Sequence, residues 1–216
     1  MKTTELRVTE IFYSLQGETK TVGLPTVFVR LTGCPLRCGY CDTEYAFQGG
    51  SVLDINDVIR QVQSYTPQFV TVTGGEPLAQ PNCLSLLTQL CDMEYQVSLE
   101  TSGALPVDDV DERVSIVMDL KTPSSRESHR NRYENIPLLK HKDQVKFVLC
   151  DRDDYQWAKF KIDEYRLYDR VGEILFSPSF DQVSPTDLAE WILQDKLQVR
   201  LQLQLHKLLW NDARGR

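Results

Sequence analysis

Three cysteines in one short stretch carry the strongest chemical signal in this chain. Cys34, Cys38 and Cys41 are separated by three and then two residues, and they directly follow the apolar, β-branched run 26–31. A disulfide uses only two thiols, and neighbouring thiolates repel each other unless a cation neutralises their charge. The spacing therefore predicts a metal centre. Tetrathiolate zinc and ordinary iron–sulfur clusters need a fourth ligand, and the next cysteine is Cys83, so we expect one coordination position to stay open.

Two other metal assignments remain open from the spacing alone. Structural zinc could take Asp42 or His206 as its fourth ligand, and a plant-type ferredoxin cluster could take a distant cysteine. Cys83 and Cys91 fall on the apolar side of a predicted helix and Cys150 follows a predicted strand, which favours buried thiols over ligands. If none of them coordinates, one iron of a cluster is left for a chelating molecule with an amine and a carboxylate.

A glycine-rich turn follows the next predicted strand, 69–73, and suits such a molecule. Gly74 and Gly75 would let the backbone approach a ligand closely, Glu76 could pair with a cationic amine, and Pro77 stiffens the turn. Alone, these four residues are also typical of an ordinary strand-to-helix turn. One strand–helix unit after the cysteine loop, the two motifs reinforce each other.

The composition narrows the class of protein. The 216 residues are 41% hydrophobic and contain no low-complexity linker, so we expect one domain over residues 1–216. No apolar run has the length of a signal peptide or a membrane span, which predicts a cytoplasmic protein with no membrane partner. In that reducing compartment, six cysteines indicate metal ligands or buried thiols. The net charge of −7 argues against nucleic acid as the main partner and favours a small substrate.

The elements that position these motifs follow an alternating pattern, which predicts an α/β fold of repeated strand–helix units. Candidate helices begin near Asp54, Asn82, Asp154 and Ser184, and the polar segment 123–137 reads as a long surface loop. The predicted strands are 7–13, 26–31, 69–73, 95–99, 114–118, 146–149, 173–176 and 197–205.

Polar or glycine-rich clusters follow nearly every predicted strand. The carboxyl ends of parallel strands share one rim, so the cysteine loop, 74–76, 100–102, 119–121, 177–179 and His206 are expected around one cavity. About six such units is too few for the eight of a closed barrel. We therefore expect an open, partial (β/α) barrel.

The cysteine triplet, with the aromatic Tyr40 before its last cysteine and the GGEP turn one unit later, resembles the hallmark of the radical S-adenosylmethionine (SAM) superfamily. Segments 14–18, 28–31, 41–43, 73–77, 100–103 and 204–207 together resemble the 7-carboxy-7-deazaguanine synthase family. The resemblance implies a radical SAM core and a carbon–nitrogen lyase. It would contract the ring of 6-carboxy-5,6,7,8-tetrahydropterin, giving 7-carboxy-7-deazaguanine and ammonia on the route to queuosine and other deazapurines.

The resemblance also implies cofactors and site residues. A [4Fe–4S] cluster would lie on Cys34, Cys38 and Cys41, with SAM on the fourth iron, and Mg²⁺ would bind Thr43 beside the substrate. No residue is assigned as a general base, because Mg²⁺ can bias the rearrangement electrostatically. The implied SAM-binding residues are Tyr40, Gly75, Glu76, Ser102, Asp119, Lys121, Ser177 and Pro178. The implied substrate-binding residues are Leu15, Gln16, Gly17, Glu18, Arg30, Thr73 and His206.

Chemistry supports two of these roles and leaves other functions open. Arg30 offers a fork of donors that suits the substrate carboxylate, and Gln16 and Glu18 can match the donors and acceptors of the pterin edge. Another radical SAM enzyme, such as a glycyl-radical activase, would share the cysteine loop and the turn but need not carry these residues. An iron–sulfur electron carrier would need a fourth ligand.

Partners follow from the resemblance as well. A flavodoxin or ferredoxin is expected as the electron donor, and a homodimer is expected from the family. The basic residues of segment 126–142 would either dock the donor or form a solvated loop; they are Arg126, Arg130, Arg132, Lys140 and Lys142. Thr19 stands where relatives often have glycine, so the turn after Glu18 is expected to differ from theirs.

Overall fold

The computed structural model describes residues 4–211 and 213–215, so the expectation for the start of the chain at residues 1–3 lies outside the described part. The strands are β1 Glu5–Leu15, β2 Pro25–Leu31, β3 Ser51–Asp54, β4 Phe69–Gly74, β5 Gln96–Thr101, β6 Ser115–Asp119, β7 Gln144–Leu149, β8 Glu173–Pro178 and β9 Arg200–Leu201. The α-helices are α1 Ile55–Ser64, α2 Cys83–Asp92, α3 Arg152–Glu164, α4 Pro185–Asp195 and α5 Leu205–Trp210.

The described strands form one sheet in the order β3-β1-β2-β4-β5-β6-β7-β8-β9. From β2 through β9 the neighbours pair in parallel, whereas β1 runs antiparallel to both β2 and β3. The outermost strands, β3 and β9, do not pair with each other. The sheet is therefore open, as predicted for a partial barrel.

Two of the crossovers differ from the regular strand–helix repeat. The connections β5 to β6 and β6 to β7 lie wholly within the described residues and contain no α-helix. Instead of a plain surface loop, the segment after β6 holds three short 3₁₀ helices, Pro123–Ser125, Ser128–Arg130 and Tyr133–Leu138. Asn135 and Ile136 are buried there, so this segment packs on the barrel in place of a helix.

Side-chain alternation along the strands separates an apolar outer face from a polar inner face. On β4, Val70 and Val72 are fully buried in a cluster with Leu86 and Leu87 of α2. A second cluster joins β6, β7 and β8 to α3 and α4. Each fully buried Val or Leu contributes about 1.5–3 kcal/mol to folding, so these outer clusters hold the barrel together. The inner face carries polar groups such as Thr71, whose hydroxyl oxygen lies 2.8 Å from that of Ser98.

Two helices begin where the sequence predicts, because the predicted residue caps each of them with its side chain. Asp54 accepts a hydrogen bond from the Asn56 N–H, and Ser184 accepts one from Thr186. α3 begins two residues earlier than predicted, because Asp151 is its cap. Before α2, the Asn82 amide donates to the Glu5 carbonyl at 2.8 Å and makes no capping bond.

The predicted strand 197–205 is wrong over most of its length. β9 holds only Arg200–Leu201, and the chain then enters α5. Its partner strand β8 ends at Pro178, which has no N–H to continue the ladder. The residues after Leu201 alternate between apolar and polar side chains, but they have no neighbouring strand to pair with. None of the described helices has the length and apolar character needed to cross a membrane.

Candidate active site

A cavity of about 510 Å³ occupies the interior of the barrel. Most of its wall comes from the carboxyl ends of the parallel strands, where the sequence placed the site. The predicted site residues that line it are Glu18, Arg30, Cys34, Cys38, Tyr40, Cys41, Thr43, Thr73, Gly75, Ser102, Asp119, Lys121, Ser177 and Pro178. The cavity therefore brings together candidate cluster, nucleotide and substrate residues.

The cysteine loop is held against its surroundings by a buried side chain and by backbone hydrogen bonds, such as that from the Gly39 N–H to the Ser125 carbonyl at 3.1 Å. Leu36, only 1% exposed, anchors the loop in the protein, and its N–H donates to the Cys34 Sγ at 3.4 Å. Burial raises the pKa of Cys34 and of Cys41, and it raises the pKa of Cys38 to about 11. The free thiols are thus protonated at neutral pH, and a metal centre must displace those protons to bind.

The arrangement of the cysteines does not resemble a preformed single-ion site. Within residues 4–211 and 213–215, no group of three or more His, Cys, Asp or Glu side chains could hold one metal ion. Structural zinc requires its ligands to converge on one point, so this geometry disfavours zinc. In an iron–sulfur cluster each cysteine binds a different iron, so the sulfurs need not converge.

The glycines of the GGEP turn are required by close contacts with β2 and with the cysteine loop, because a Cβ on Gly74 would meet the Leu31 carbonyl. Gly74 has φ +146°, and a Cβ on Gly75 would lie 2.3 Å from the Gly33 carbonyl oxygen and 2.7 Å from the Cys34 Cβ. The Glu76 N–H also donates to the Gly33 carbonyl at 2.8 Å. The turn thus supports the cysteine loop through its backbone. The sequence predicted that these glycines allow a close approach to a ligand, and in the structure Gly75 allows a close approach to the cysteine loop.

The Glu76 carboxylate is fully buried and lies outside the cavity wall. It accepts hydrogen bonds from the Leu78 N–H at 3.0 Å, the Thr101 hydroxyl at 2.9 Å and the Ser102 N–H at 2.8 Å. These bonds lie within the protein, and the expected pairing of this side chain with a ligand amine stays a prediction. The carboxylate ties the turn after β4 to the end of β5, where Ser102 faces the cavity.

Buried polar atoms without partners mark the wall formed by β6 and the cysteine loop. Lys121 lies 2.9 Å from Asp119 Oδ2 and 5.8 Å from the ring centroid of Tyr40. Among the described residues, Asp119 Oδ1 and the Tyr40 hydroxyl are buried without a hydrogen-bond partner. Such atoms are costly unless a ligand satisfies them, so this wall is suited to a polar ligand. Ser177, further round the wall, donates to the Gln202 carbonyl at 2.9 Å.

The loop between β1 and β2 reaches the same cavity from the opposite end of the barrel, because it precedes β2 whereas the cysteine loop follows it. Glu18 lines the cavity and pairs with Lys146 at 2.8 Å. Gln16 lies behind it, 2% exposed, and donates to Thr71 at 3.2 Å. Thr19 adopts φ +67°, so the left-handed turn is kept without glycine.

Arg30 and Thr73 are neighbours on β2 and β4 in the parallel register. Arg30 Nε pairs with Glu10 at 2.7 Å, and its guanidinium lies 5.9 Å from the ring centroid of Tyr45. Thr73 donates to Glu100 at 2.8 Å. Both side chains line the cavity, held in place by these contacts.

Three predicted substrate residues support the β1–β2 loop from outside the cavity wall. Leu15 ends β1, and Gly17 packs against the side chain of His206: a Cβ on Gly17 would lie 2.5 Å from His206 Nδ1. The Gly17 carbonyl also accepts a hydrogen bond from the Leu205 N–H at 3.0 Å. His206 therefore lies on α5 against the loop that carries Glu18, not at a strand end.

Thr43 lies beside the carboxylate of Asp42, a residue that the sequence suggests only as a zinc ligand. Its hydroxyl donates to Asp42 Oδ1 at 2.8 Å, and Asp42 Oδ2 accepts from Gln204 at 3.0 Å and lies 3.4 Å from Lys207. Burial opposes ionisation of Asp42, but the Gln204 hydrogen bond and the Lys207 charge outweigh it and hold its pKa below the usual range. The segment after β9 thus contacts the end of the cysteine loop through Asp42.

Comparisons with known proteins agree with this site. Residues 28–140 match the model of the radical SAM superfamily. The chain is 45% identical over 214 residues to the 7-carboxy-7-deazaguanine synthase of Chlorobaculum tepidum, with 97% of each chain covered. It is 41% identical to the synthase of Koribacter versatilis, covering 95% of this chain and 97% of that one.

The chain belongs to the 7-carboxy-7-deazaguanine synthase family. Its fold is also that of the crystal structure of QueE from Escherichia coli, with a TM-score of 0.76, 23% identity, and 93% of this chain and 94% of that chain covered.

Membership of the family implies a radical SAM enzyme with a [4Fe–4S] cluster and SAM. The donor set fits both groups. Three thiols line one cavity for the cluster, and the orphaned Asp119 Oδ1 and Tyr40 hydroxyl offer hydrogen-bonding positions beside them for a polar nucleotide.

Several residues that line this cavity had no individual role assigned from the sequence, although Glu100 belongs to the segment 100–102 expected around it. Glu100 is partly buried in the cavity wall, and burial together with the charge of Glu18 raises its pKa. Lys146 lies on the inner face of β7, and Gln204 and Lys207 come from the segment misread as a strand. A charged residue inside an otherwise apolar strand was the available signal for Lys146.

Proposed function

We propose that this chain converts 6-carboxy-5,6,7,8-tetrahydropterin to 7-carboxy-7-deazaguanine and ammonia. The observation that carries the proposal is a single cavity that holds the three cysteines at one end and Glu18, which enters from the other. A radical source and a recognition group for a flat heterocycle thus line the same cavity. The curated synthases, 45% and 41% identical over nearly the whole chain, support this substrate.

In this proposal each wall of the cavity has its own task. When bound, the cluster and SAM supply one-electron cleavage of SAM and a radical that removes hydrogen from the substrate. Cys34, Cys38 and Cys41 hold the cluster. The residues that hold SAM are Tyr40, Gly75, Glu76, Ser102, Asp119, Lys121, Ser177 and Pro178, with Glu76 acting through the turn that its carboxylate braces.

The substrate side uses groups that match the pterin. Arg30 binds the carboxylate, Glu18 accepts hydrogen bonds from the ring, and Thr73 and the buried Gln16 keep this surface in place. Leu15, Gly17 and His206 shape the loop that carries Glu18. Thr43 supplies a hydroxyl oxygen to Mg²⁺, a metal that takes oxygen ligands and retains water.

Anaerobic reconstitution tests the function directly. With iron, sulfide, SAM and dithionite, the protein is expected to form 5′-deoxyadenosine and to turn over carboxytetrahydropterin. A protein that forms no 5′-deoxyadenosine is not a radical SAM enzyme, and one that cleaves SAM without turnover acts on another substrate. Cys41→Ala should lose the cluster, whereas Cys91→Ala, in a thiol of α2 that is only 6% exposed, should keep it.

A flavodoxin or ferredoxin is the proposed electron donor, and it docks beside the cysteine loop. Arg37 is exposed within that loop, and the exposed Arg126 follows a turn whose Ser125 carbonyl accepts a hydrogen bond from the Gly39 N–H at 3.1 Å. On a chain of net charge −7, this local basic surface would attract an acidic carrier.

The basic residues grouped in the sequence do not form one patch. Arg126 lies beside Gly39 of the cysteine loop, but Lys140 and Lys142 precede β7 at the other end of the barrel, where Lys140 pairs with Glu112 at 3.5 Å. Arg126→Glu should therefore raise the KM for reduced flavodoxin without changing dithionite-driven turnover. Lys140→Glu is the matched control, and an equal effect from it would contradict this docking site.

The remaining assignments rest on the family. We propose a single-domain, cytoplasmic homodimer, and the exposed Phe180 and Leu208, 65% and 67% accessible, provide apolar surface that such a contact would cover. Sedimentation equilibrium of the holoenzyme tests the dimer, and a monomer across the micromolar range would contradict it.

A further inference from the structure

Lys146 is a buried charge on the inner face of the barrel that none of the assigned roles uses. Its neighbours Val145 and Phe147 belong to the outer apolar cluster, so strand alternation turns Lys146 toward the cavity. It lines the cavity wall, and only 16% of its side chain is exposed. A lysine is rarely buried in this way unless it is paired.

The ammonium of Lys146 joins two walls of the site. It lies 2.8 Å from Glu18 Oε2, on the loop that enters from the far end of the barrel, and 3.8 Å from Asp119 Oδ2 on β6. Asp119 is also its direct neighbour in the parallel register. Burial alone would lower the pKa of Lys146, but the charges of Glu18 and Asp119 outweigh it and raise the pKa above its usual value.

The contact with Glu18 spans 128 positions in the sequence. The β1–β2 loop that carries Glu18 is not part of the parallel sheet, so its depth in the cavity depends on such contacts. The carboxylates of Glu18, Glu100 and Asp119 are gathered around the same interior, where like charges repel more strongly than in water. A cation between Glu18 and Asp119 offsets that repulsion and holds both carboxylates in place.

We propose that Lys146 is a positioning residue that holds Glu18 and Asp119 in one register, and so sets the distance between the pterin and the nucleotide. The inference rests on the proposed function, because it uses Glu18 as the pterin contact and Asp119 as the SAM contact. Hydrogen transfer requires reacting atoms in near contact, and a misplacement of about 1 Å can cost a hundredfold in rate. Lys146 acts through these carboxylates and needs no contact with either reactant.

Lys146→Met removes the charge and keeps a long stem. Because a charged hydrogen bond to Glu18 is lost, the KM for carboxytetrahydropterin should rise roughly tenfold or more. The ratio of 5′-deoxyadenosine to product should also rise, since SAM would be cleaved with the substrate misplaced. Lys159→Met is the matched control, because Lys159 pairs with Asp195 at 2.7 Å on the outside of the barrel.

A double-mutant cycle with Glu18→Gln separates positioning from an independent role. If Lys146 acts through Glu18, adding Lys146→Met to Glu18→Gln should raise the KM less than threefold further. Penalties that multiply in full would overturn the proposal. A Lys146→Met variant with the KM and product ratio of the wild type would overturn it as well.

A double variant with a neutral pair and a binding measurement distinguish loss of substrate positioning from loss of folding. Glu18→Gln/Lys146→Gln leaves neither member of the pair charged, and its thermal unfolding should stay closer to that of the wild type than that of Lys146→Met. Calorimetric titration of carboxytetrahydropterin into the unreduced, SAM-loaded holoenzyme should show weaker binding to Lys146→Met, and equal binding would contradict the proposal. A wild-type holoenzyme that neither binds nor turns over this substrate would instead refute the proposed function.

Discussion

The Glu76 backbone N–H donates to the Gly33 carbonyl at 2.8 Å, so the GGEP turn and the cysteine loop are one packed unit. The two motifs are separated by a strand, a helix and a further strand in the sequence. This contact explains why Gly75 is a glycine, since a Cβ there would meet the Gly33 carbonyl and the Cys34 Cβ, whereas a Cβ on Gly74 would meet the Leu31 backbone of β2.

Gly75→Ala should disturb the cysteine loop. Its Cβ would meet the Gly33 carbonyl and Cys34 Cβ, and such overpacking costs about 1–3 kcal/mol. Lower iron content after reconstitution and a lower Tm are expected. Gly39→Ala is the control within the same loop, because the nearest atoms to its Cβ lie 3.8 Å away. If Gly75→Ala kept full iron and an unchanged Tm, the packing argument would fail.

Thr43→Ala should weaken the response to Mg²⁺. The hydroxyl is the proposed oxygen ligand, so the Mg²⁺ concentration for half-maximal activity should rise roughly tenfold. Thr43→Ser keeps the hydroxyl and should stay near the wild type. Activity measured against Mg²⁺ concentration decides the matter, and an unchanged curve for Thr43→Ala would remove Thr43 from the metal site.

The cluster-free protein should become less stable as pH rises above about 9. Burial raises the pKa of Cys38 to about 11 in the folded state, above the usual value near 9, so the folded state holds this proton more tightly than the unfolded state. Stability from the protonated thiol is present below pH 9 and is lost between about 9 and 11. Urea unfolding of the wild type and Cys38→Ser across this range measures it. Parallel pH profiles for the two proteins would contradict the raised pKa.

Leu86→Ala should destabilise the half of the barrel that carries the GGEP turn. Leu86 is fully buried between α2 and the outer face of the sheet, and such truncations cost about 2–5 kcal/mol. Leu193→Ala in α4 is the control, because its side chain is 70% exposed and should change stability by less than about 0.5 kcal/mol. Urea denaturation measures both, and equal losses would show that the outer cluster is not the main source of stability.

Much of the fold, and the part of the site at the carboxyl ends of the strands, could be predicted from the sequence because the signals are local. Alternation along β4 and β7, the Asp54 and Ser184 caps, and the cysteine spacing depend on residues close together in the chain. The β9 error shows the limit of such signals. Its pattern satisfied strand alternation, but pairing depended on a partner strand that ends at Pro178.

The sequence by itself determined the chemistry of this protein: three thiols, a GGEP turn and the flanking segments of a known family, arranged on an α/β barrel. Only the tertiary structure decided how those groups face one another. In it, the Glu76 carboxylate accepts hydrogen bonds from Thr101 and Ser102. His206 packs against Gly17 in the loop that carries Glu18, and Lys146 lies between Glu18 and Asp119. The physical reason is that burial and ion pairing depend on distance in space, and the residues that satisfy a buried charge here lie up to 128 positions away.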